Sequence, residues 1–272
     1  MKFVILTDTH FVAGRTLYGI DPAQRLAADL EIVARDHRDI AFIMITGDLA
    51  HWGQREAYGR LRTELSRAHV PVHMLMGNHD RRAPFREIFP AADSDAHCFV
   101  QSLRIEAAFS MITLDTLDEV GPTHAGFLCS ERLGFLREAL LAAPVDRPLL
   151  LFQHHPPFDT GLPHMDRIKL RNGAEELALL SQIRKPDYLF MGHIHRPISG
   201  LWHGIPFHIQ RALAHQVAFD LATPDRIPGS LEAPDYALVE VREGQIVIHQ
   251  RSLLYDGPHF WLDDKAAQDW TG

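Results

Sequence analysis

Gly77-Asn78-His79-Asp80 follows directly on the apolar run Val72-His73-Met74-Leu75-Met76. A chain that leaves a strand through glycine can turn sharply, and the next two side chains bring a neutral amide oxygen and an imidazole, both metal donors, to the strand end. Four other stretches share this layout. Phe3-Val4-Ile5-Leu6 runs into Asp8 and His10, and Ile40 to Ile45 into Gly47-Asp48. Leu149-Leu150-Leu151-Phe152 runs into His154-His155, and Tyr188-Leu189-Phe190 into Gly192-His193-Ile194-His195. Five strand ends carrying oxygen and nitrogen donors are expected to converge on one place.

The segments between them read as helices. Asp21 is a good N-cap and Pro22 a good first residue for a helix whose Leu26, Leu30 and Val33 share a face. Gln54 to Ala68 repeats the pattern with Tyr58, Leu61 and Leu65. Ser130 is expected to cap a helix carrying Leu133, Leu136 and Leu140, and Gly173 to Arg184 carries Leu177 and Leu180. Alternating strands and helices predict a largely parallel sheet with right-handed crossovers, in which ligands gather outside the carboxyl ends of the strands. Cys98 to Arg104 and Phe109 to Leu114 read as paired strands. Tyr236 to Arg242 and Gln245 to Leu253 read as a hairpin turning at Glu243-Gly244, with a Pro- and Gly-rich arm, Thr223 to Pro234, before it.

Composition narrows the function. A net charge of −8, from 35 acidic and 27 basic side chains, gives no general attraction to a phosphate backbone, so long nucleic acid is not an expected partner. The apolar run before Asp8 is too short for a signal-peptide core, and no stretch reaches the ~18 apolar residues of a membrane span. A cytoplasmic protein is expected, with Cys98 and Cys129 reduced. Eighteen histidines, several at strand ends, suit a metal enzyme.

Asp8-x-His10, Gly47-Asp48, Gly77-Asn78-His79-Asp80, His154-x-Pro156 and Gly192-His193-x-His195 occur in this order. The set resembles the calcineurin-like binuclear metallophosphoesterases. Thr7-Asp8-Thr9-His10-Phe11, Leu17-Tyr18-Gly19, His154-His155-Pro156-Pro157, Ala214-His215-Gln216-Val217 and Tyr255-Asp256-Gly257-Pro258 are similar to the branch holding glycerophosphodiesterases and class III cyclic-nucleotide phosphodiesterases.

The resemblance implies an α/β fold, a two-sheet αββα sandwich, with a small strand-rich C-terminal cap. It implies two divalent metal ions, Fe, Mn, Zn or Co with Mn or Fe favoured. Asp8, His10, Asp48 and His195 would surround one ion, and Asp48, Asn78, His154 and His193 the other, with Asp48 as the bridge. Hydroxide held between the ions would attack a small phosphodiester, of glycerophosphodiester or cyclic-nucleotide type. His79 would serve the leaving oxygen as the catalytic histidine, with Asp80 orienting its ring. His155 is the alternative to His154 as ligand, and His215 is a further candidate beside the site. Many relatives place an acidic or amide residue at position 51, where this chain has His51, which either contacts substrate or packs. The competing readings are a phosphomonoesterase of the same superfamily and a non-enzymatic scaffold on the same fold. The Asp-Arg-Gly triplet with which Ser/Thr phosphatases extend the Gly-Asp block is replaced here by Leu49-Ala50-His51.

Residues 1–199 are read as the catalytic domain and 200–272 as the cap. Phe207, Ile209, Val217, Phe219 and Phe260-Trp261-Leu262 are many large side chains for a small sheet. They suggest a homo-oligomer, a dimer or larger, formed through the cap.

Overall fold

A computed structural model describes residues 1–121, 123–254 and 261–262. Tyr255-Asp256-Gly257-Pro258 and Phe260 lie outside the described residues.

In chain order the elements are β1 (Lys2–Leu6), α1 (Pro22–Asp36), β2 (Ile40–Ile45), α2 (Arg55–Leu65), β3 (Val72–Met74), α3 (Arg82–Ile88), β4 (Ser102–Ile105), β5 (Ser110–Leu114), α4 (Ser130–Ala142), β6 (Leu149–Gln153), α5 (Pro163–Asp166), α6 (Gly173–Gln182), β7 (Tyr188–Met191), β8 (Ile198–Trp202), β9 (Ile205–Ile209), β10 (Gln216–Val217), β11 (Gly229–Ser230), β12 (Asp235–Arg242) and β13 (Gln245–Ser252). Asp21 caps α1 as its sequence position predicts, accepting from Ala23 N at 3.1 Å. Ser130 differs: it is the first helical residue of α4, and its hydroxyl donates to Glu131 rather than closing the turn.

Two sheets face each other. The first runs β13-β12-β1-β2-β3, the second β4-β5-β6-β7-β9-β8. The two-residue period of a strand sorts the side chains into three layers. Phe3 and Ile5 of β1 meet Leu150 and Phe152 of β6 and Phe190 of β7 between the sheets. Val4 and Leu6 point the other way, onto Leu26, Leu30 and Val33 of α1 and Leu61 of α2. Leu149 and Leu151 likewise turn outward onto Leu136 and Leu140 of α4 and Leu180 of α6. The result is the helix, sheet, sheet, helix sandwich that the family resemblance implies.

The C-terminal quarter differs from the expected separate cap. β9 inserts between β7 and β8 in the second sheet, and β12 pairs antiparallel with β1, Phe3 opposite Val239. The reason is burial. Ala237, Val239 and Val241 enter the layer between the sheets, which a small independent sheet would not supply. Phe207, Ile209 and Val217, offered above as exposed apolar side chains, are buried in the outer layer of the second sheet. Among the described residues, β10 and the arm around β11 form a small separate sheet, through the pairs Gln216 with Ser230 and Val217 with Gly229, and this region exposes Phe219, Leu221, Ile227 and Leu231. Among the described residues no helix is long and apolar enough to cross a membrane.

Candidate metal centre

The donors gather where the strands of both sheets end. β1, β2 and β3 deliver Asp8, His10, Asp48 and Asn78 from the first sheet. β6 and β7 deliver His154, His193 and His195 from the second. Asp8 (φ 52°), His10 (47°), Asp48 (50°), His193 (70°) and His195 (55°) all sit in the left-handed region, which L-residues avoid and which persists where the surroundings enforce it, commonly at functional sites. Gly77 lets the third loop lie flat on the second, since a Cβ there would fall on the Asp48 carboxylate.

Each donor is held by a bond on its far side. His154 Nδ1 donates to Thr46 O (2.8 Å) and His195 Nδ1 to His215 O (2.7 Å), so both turn the lone pair of Nε2 inward. His193 donates from Nε2 to Ile168 O (3.0 Å), which leaves Nδ1 as its lone-pair atom. Asp8 Oδ2 accepts from Thr7 Oγ1 (2.7 Å) and His193 N (3.2 Å). Its Oδ1 is buried with no hydrogen-bond partner among the described residues, 3.1 Å from His195 Nε2 and 3.9 Å from His10 Nε2. Asp48 Oδ1 accepts from His79 N (2.9 Å), and Oδ2 stands 3.6 Å from His10 Nε2 and 3.5 Å from His154 Nε2. Asn78 Oδ1 lies 3.2 Å from His154 Nε2.

Two fully buried carboxylates need counter-charge, and among the described residues no Lys or Arg pairs with Asp8 or Asp48. Protonation equilibria register the demand. Burial opposes charge on Asp48, but His154, His79 and His10 outweigh it and hold the carboxyl well below the usual range. Burial likewise opposes charge on His154, yet Asp48 and Asp8 lift it to about 9. His10 and His193 are pushed well down by burial. An orphaned carboxylate oxygen, a carboxylate oxygen shared by two imidazoles and inward lone pairs on several histidines are a donor set that fits divalent cations; Asp8, His10, Asp48 and His195 alone bring four such atoms within 4.8 Å of one another.

The structure brings the seven expected metal donors together, and it places the other candidates as follows. His79 belongs to neither donor set. Its Nδ1 donates to His51 O (2.7 Å), and its ring is stacked between His51 (4.6 Å, 15°) and His124 (4.8 Å, 26°). Asp80 does not orient His79. It is fully buried and accepts four bonds, from Leu49 N, Ala50 N, Gly77 N and Tyr58 Oη, so it staples the second and third loops together. Burial and the neighbouring Asp48 raise Asp80 to about 7, against the pull of its N–H donors. His155 falls geometrically close to His154 and His193, but Thr116 Oγ1 (2.7 Å) and His124 O (3.1 Å) engage its two nitrogens, leaving no lone pair for a cation. His215 contributes its carbonyl to His195 and its ring to a cluster with His10 and Tyr18. His51 meets His10, Nδ1 to Nδ1, at 3.0 Å.

Sequence reasoning missed His124, whose Nδ1 accepts from Asn78 Nδ2 (2.9 Å) and so turns Asn78 Oδ1 toward His154. It lies in an irregular stretch with no periodicity or motif to mark it. The donors open into a cavity of about 570 Å³ lined by Tyr18, His51, His79, His124 and His215 and walled by Met165, Ile168, Val217, Ile227 and Leu231. Among the described residues no Lys or Arg lines it.

The family model for calcineurin-like phosphoesterases matches residues 1–197. A probable cyclic nucleotide phosphodiesterase of Rhodopseudomonas palustris is 59% identical over 268 residues, covering 98% of each chain. A probable glycerophosphodiester phosphodiesterase of Arcobacter nitrofigilis is 32% identical over 228 residues, 82% of each chain. Among solved structures, a dimetal phosphatase from Danio rerio superposes with a TM-score of 0.71 over 93% of this chain and 96% of its own at 16% identity, a likeness of fold.

Proposed function

The chain belongs to the calcineurin-like phosphoesterase family, and from that premise we propose that it hydrolyses small phosphodiesters at a pair of divalent cations held at the strand ends. The observation that carries this reading is Asp48 Oδ2, one oxygen facing His10 Nε2 at 3.6 Å and His154 Nε2 at 3.5 Å. Asp8, His10, Asp48 and His195 would hold one ion; Asp48, Asn78, His154 and His193 the other. Mixed nitrogen and oxygen donors suit Fe, Mn, Zn or Co, and we favour Mn or Fe. Such a pair, when bound, offsets phosphoryl charge and acidifies water toward hydroxide near neutrality.

The chain's own groups supply the rest. His79 donates from Nδ1 to the chain, so Nε2 is left for the cavity, where its protonated form would give a proton to the leaving oxygen. Stacking on both faces keeps that ring in one plane. That no Lys or Arg among the described residues lines the cavity favours a diester, with one negative charge, over a monoester dianion. The apolar wall of Met165, Ile168, Val217, Ile227 and Leu231 suits a nucleobase better than glycerol. With the cyclic nucleotide name of the 59% identical relative, this makes cyclic nucleotides the first substrates to test and glycerophosphodiesters the second.

Elemental analysis, with turnover of bis(4-nitrophenyl) phosphate, 4-nitrophenyl phosphate, cyclic AMP and glycerophosphoethanolamine, tests the reading. Two bound ions, diester before monoester and cyclic nucleotide before glycerophosphodiester are expected. A metal-free active protein, or one that hydrolyses only monoesters, would overturn it. We further propose a cytoplasmic homo-oligomer, with the exposed Phe219, Leu221, Ile227 and Leu231 of the β11 arm covered by a second copy. Light scattering that finds only monomer at micromolar concentration removes that part.

A further inference from the structure

His10 and His51 meet nitrogen to nitrogen, Nδ1 to Nδ1 at 3.0 Å. Ring nitrogens at this separation share one proton, because two N–H groups would repel and so would two lone pairs. The argument for His51 rests on the two-cation reading, in which His10 Nε2 faces Asp48 and His195 and binds an ion. A neutral imidazole has one lone-pair nitrogen. With that lone pair committed at Nε2, His10 carries its proton on Nδ1 and must donate to His51. His51 Nδ1 is then the acceptor, and the proton of His51 sits on Nε2.

We infer that His51 is a substrate-binding donor whose tautomer is set by the cation on His10, and that it offers Nε2–H to a non-bridging phosphoryl oxygen of the diester. His51 lines the cavity together with Asp48, Asn78 and His79. Its Nδ1 is taken by His10, and its Nε2 makes no hydrogen bond to another described residue. The ring is held in place from several sides: stacked on His79, edge-on to Trp52 at 4.6 Å, with the backbone N–H of His51 on Phe11 O at 2.8 Å. The proton count of the pair does not change, only its placement. Without a cation on His10 the shared proton is free to belong to either ring, so the donor is fixed only when the metal is there to need it.

Two-bond 15N–1H correlation spectra of 15N-histidine-labelled protein, metal-free and zinc-loaded, test the tautomer without any turnover. On loading, His10 Nε2 is expected to take the shift of a metal-bound nitrogen, and His51 to show a bare Nδ1 and a protonated Nε2. A proton on His51 Nδ1, a metal shift on His51 itself, or a His10 Nε2 that zinc leaves unmoved overturns the inference. Because the spectra are independent of catalysis, a protein that cleaves no tested diester would fail the proposed function and still answer this question.

Calorimetry of inorganic phosphate on the zinc-loaded protein tests the contact. His51→Phe keeps a stacked ring and should bind phosphate roughly tenfold to a hundredfold more weakly, the scale of a hydrogen bond to a charged group. His51→Asn can accept from His10 through Oδ1 and donate through Nδ2, and should recover most of the loss. Equal affinity in wild type and both variants overturns the contact, and if His51→Phe does not fold, failure of a folded His51→Asn to bind phosphate does the same.

Discussion

The two donor sets share Asp48 but are built from different materials. The set of Asp8, His10 and His195 adds a second carboxylate, whose free Oδ1 faces both imidazoles. The set of Asn78, His154 and His193 adds a neutral amide, itself turned into place by His124. Their footings differ too. Behind the first-sheet loops stands Asp80, with all four of its acceptor bonds filled. Behind the second-sheet loop stands Gln153, whose Nε2 reaches His155 O and Glu176 Oε2 while Gln153 Oε1 and Glu176 Oε1 find no partner among the described residues. Charge count and satisfied hydrogen bonds both predict that the side of Asp8 holds its ion more firmly than the side of Asn78.

Asp48→Ala puts the comparison under the greatest stress, because it takes charge from both sets at once. Both ions should leave, and turnover of a chromogenic diester should fall by at least about a thousandfold, the scale of removing a principal electrostatic group. If elemental analysis finds both ions retained, Asp48 does not bridge.

Asn78→Ala separates the sets. One ion should stay tightly held while the other leaves, and activity should return in part as metal is added. His124→Ala is the milder form of the same experiment, weakening the second ion about 10- to 100-fold, as loss of a partner behind a ligand does. Simultaneous loss of both ions in either variant would erase the asymmetry.

Glu176→Gln probes the footing of the weaker side. Burial lifts the Glu176 carboxyl from its ordinary 4.5 to about 8, its bond from Gln153 offsetting only part of this. The folded chain therefore keeps a proton that the unfolded chain releases between these values. Stability is unaffected below pH 4.5, declines as pH rises toward 8, and carries the full cost above it. The glutamine variant should match wild type in urea at acid pH and exceed it above pH 8 by on the order of a few kcal/mol. Parallel curves at both pH values would mean that Glu176 is paired after all.

The parts of this site that the sequence reveals are those written locally. An apolar run followed by a turn residue and a donor marks a strand end, and Asp8, Asp48, Asn78, His154 and His193 each stand just beyond such a strand. What one chain position does to a distant one is harder to read. The sequence pairs Asp80 with the adjacent His79, yet besides the nearby Gly77 its partners are the distant Leu49, Ala50 and Tyr58. His124 has no local mark at all. The C-terminal strands were legible as strands, but their partners were not: nothing near Val239 says that it lies opposite Phe3. For the same reason Phe207, Ile209 and Val217 read as surplus apolar surface until the second sheet was there to receive them.

That pairing of β12 with β1 governs the order in which the molecule can be assembled. The strand that carries Asp8 and His10 lies between β2 and β12, and the amino group of Met1 donates to Val241 O across 240 positions of chain. During synthesis β1 emerges first but gains its second neighbour only after β12 has left the ribosome, so one edge of the first sheet stays open through most of translation. Long-range closures of this kind slow folding and leave strand edges exposed to other chains. Completion of the sheet whose strand β1 leads into Asp8 and His10 is thus a late event in the life of the nascent chain, because it waits for β12.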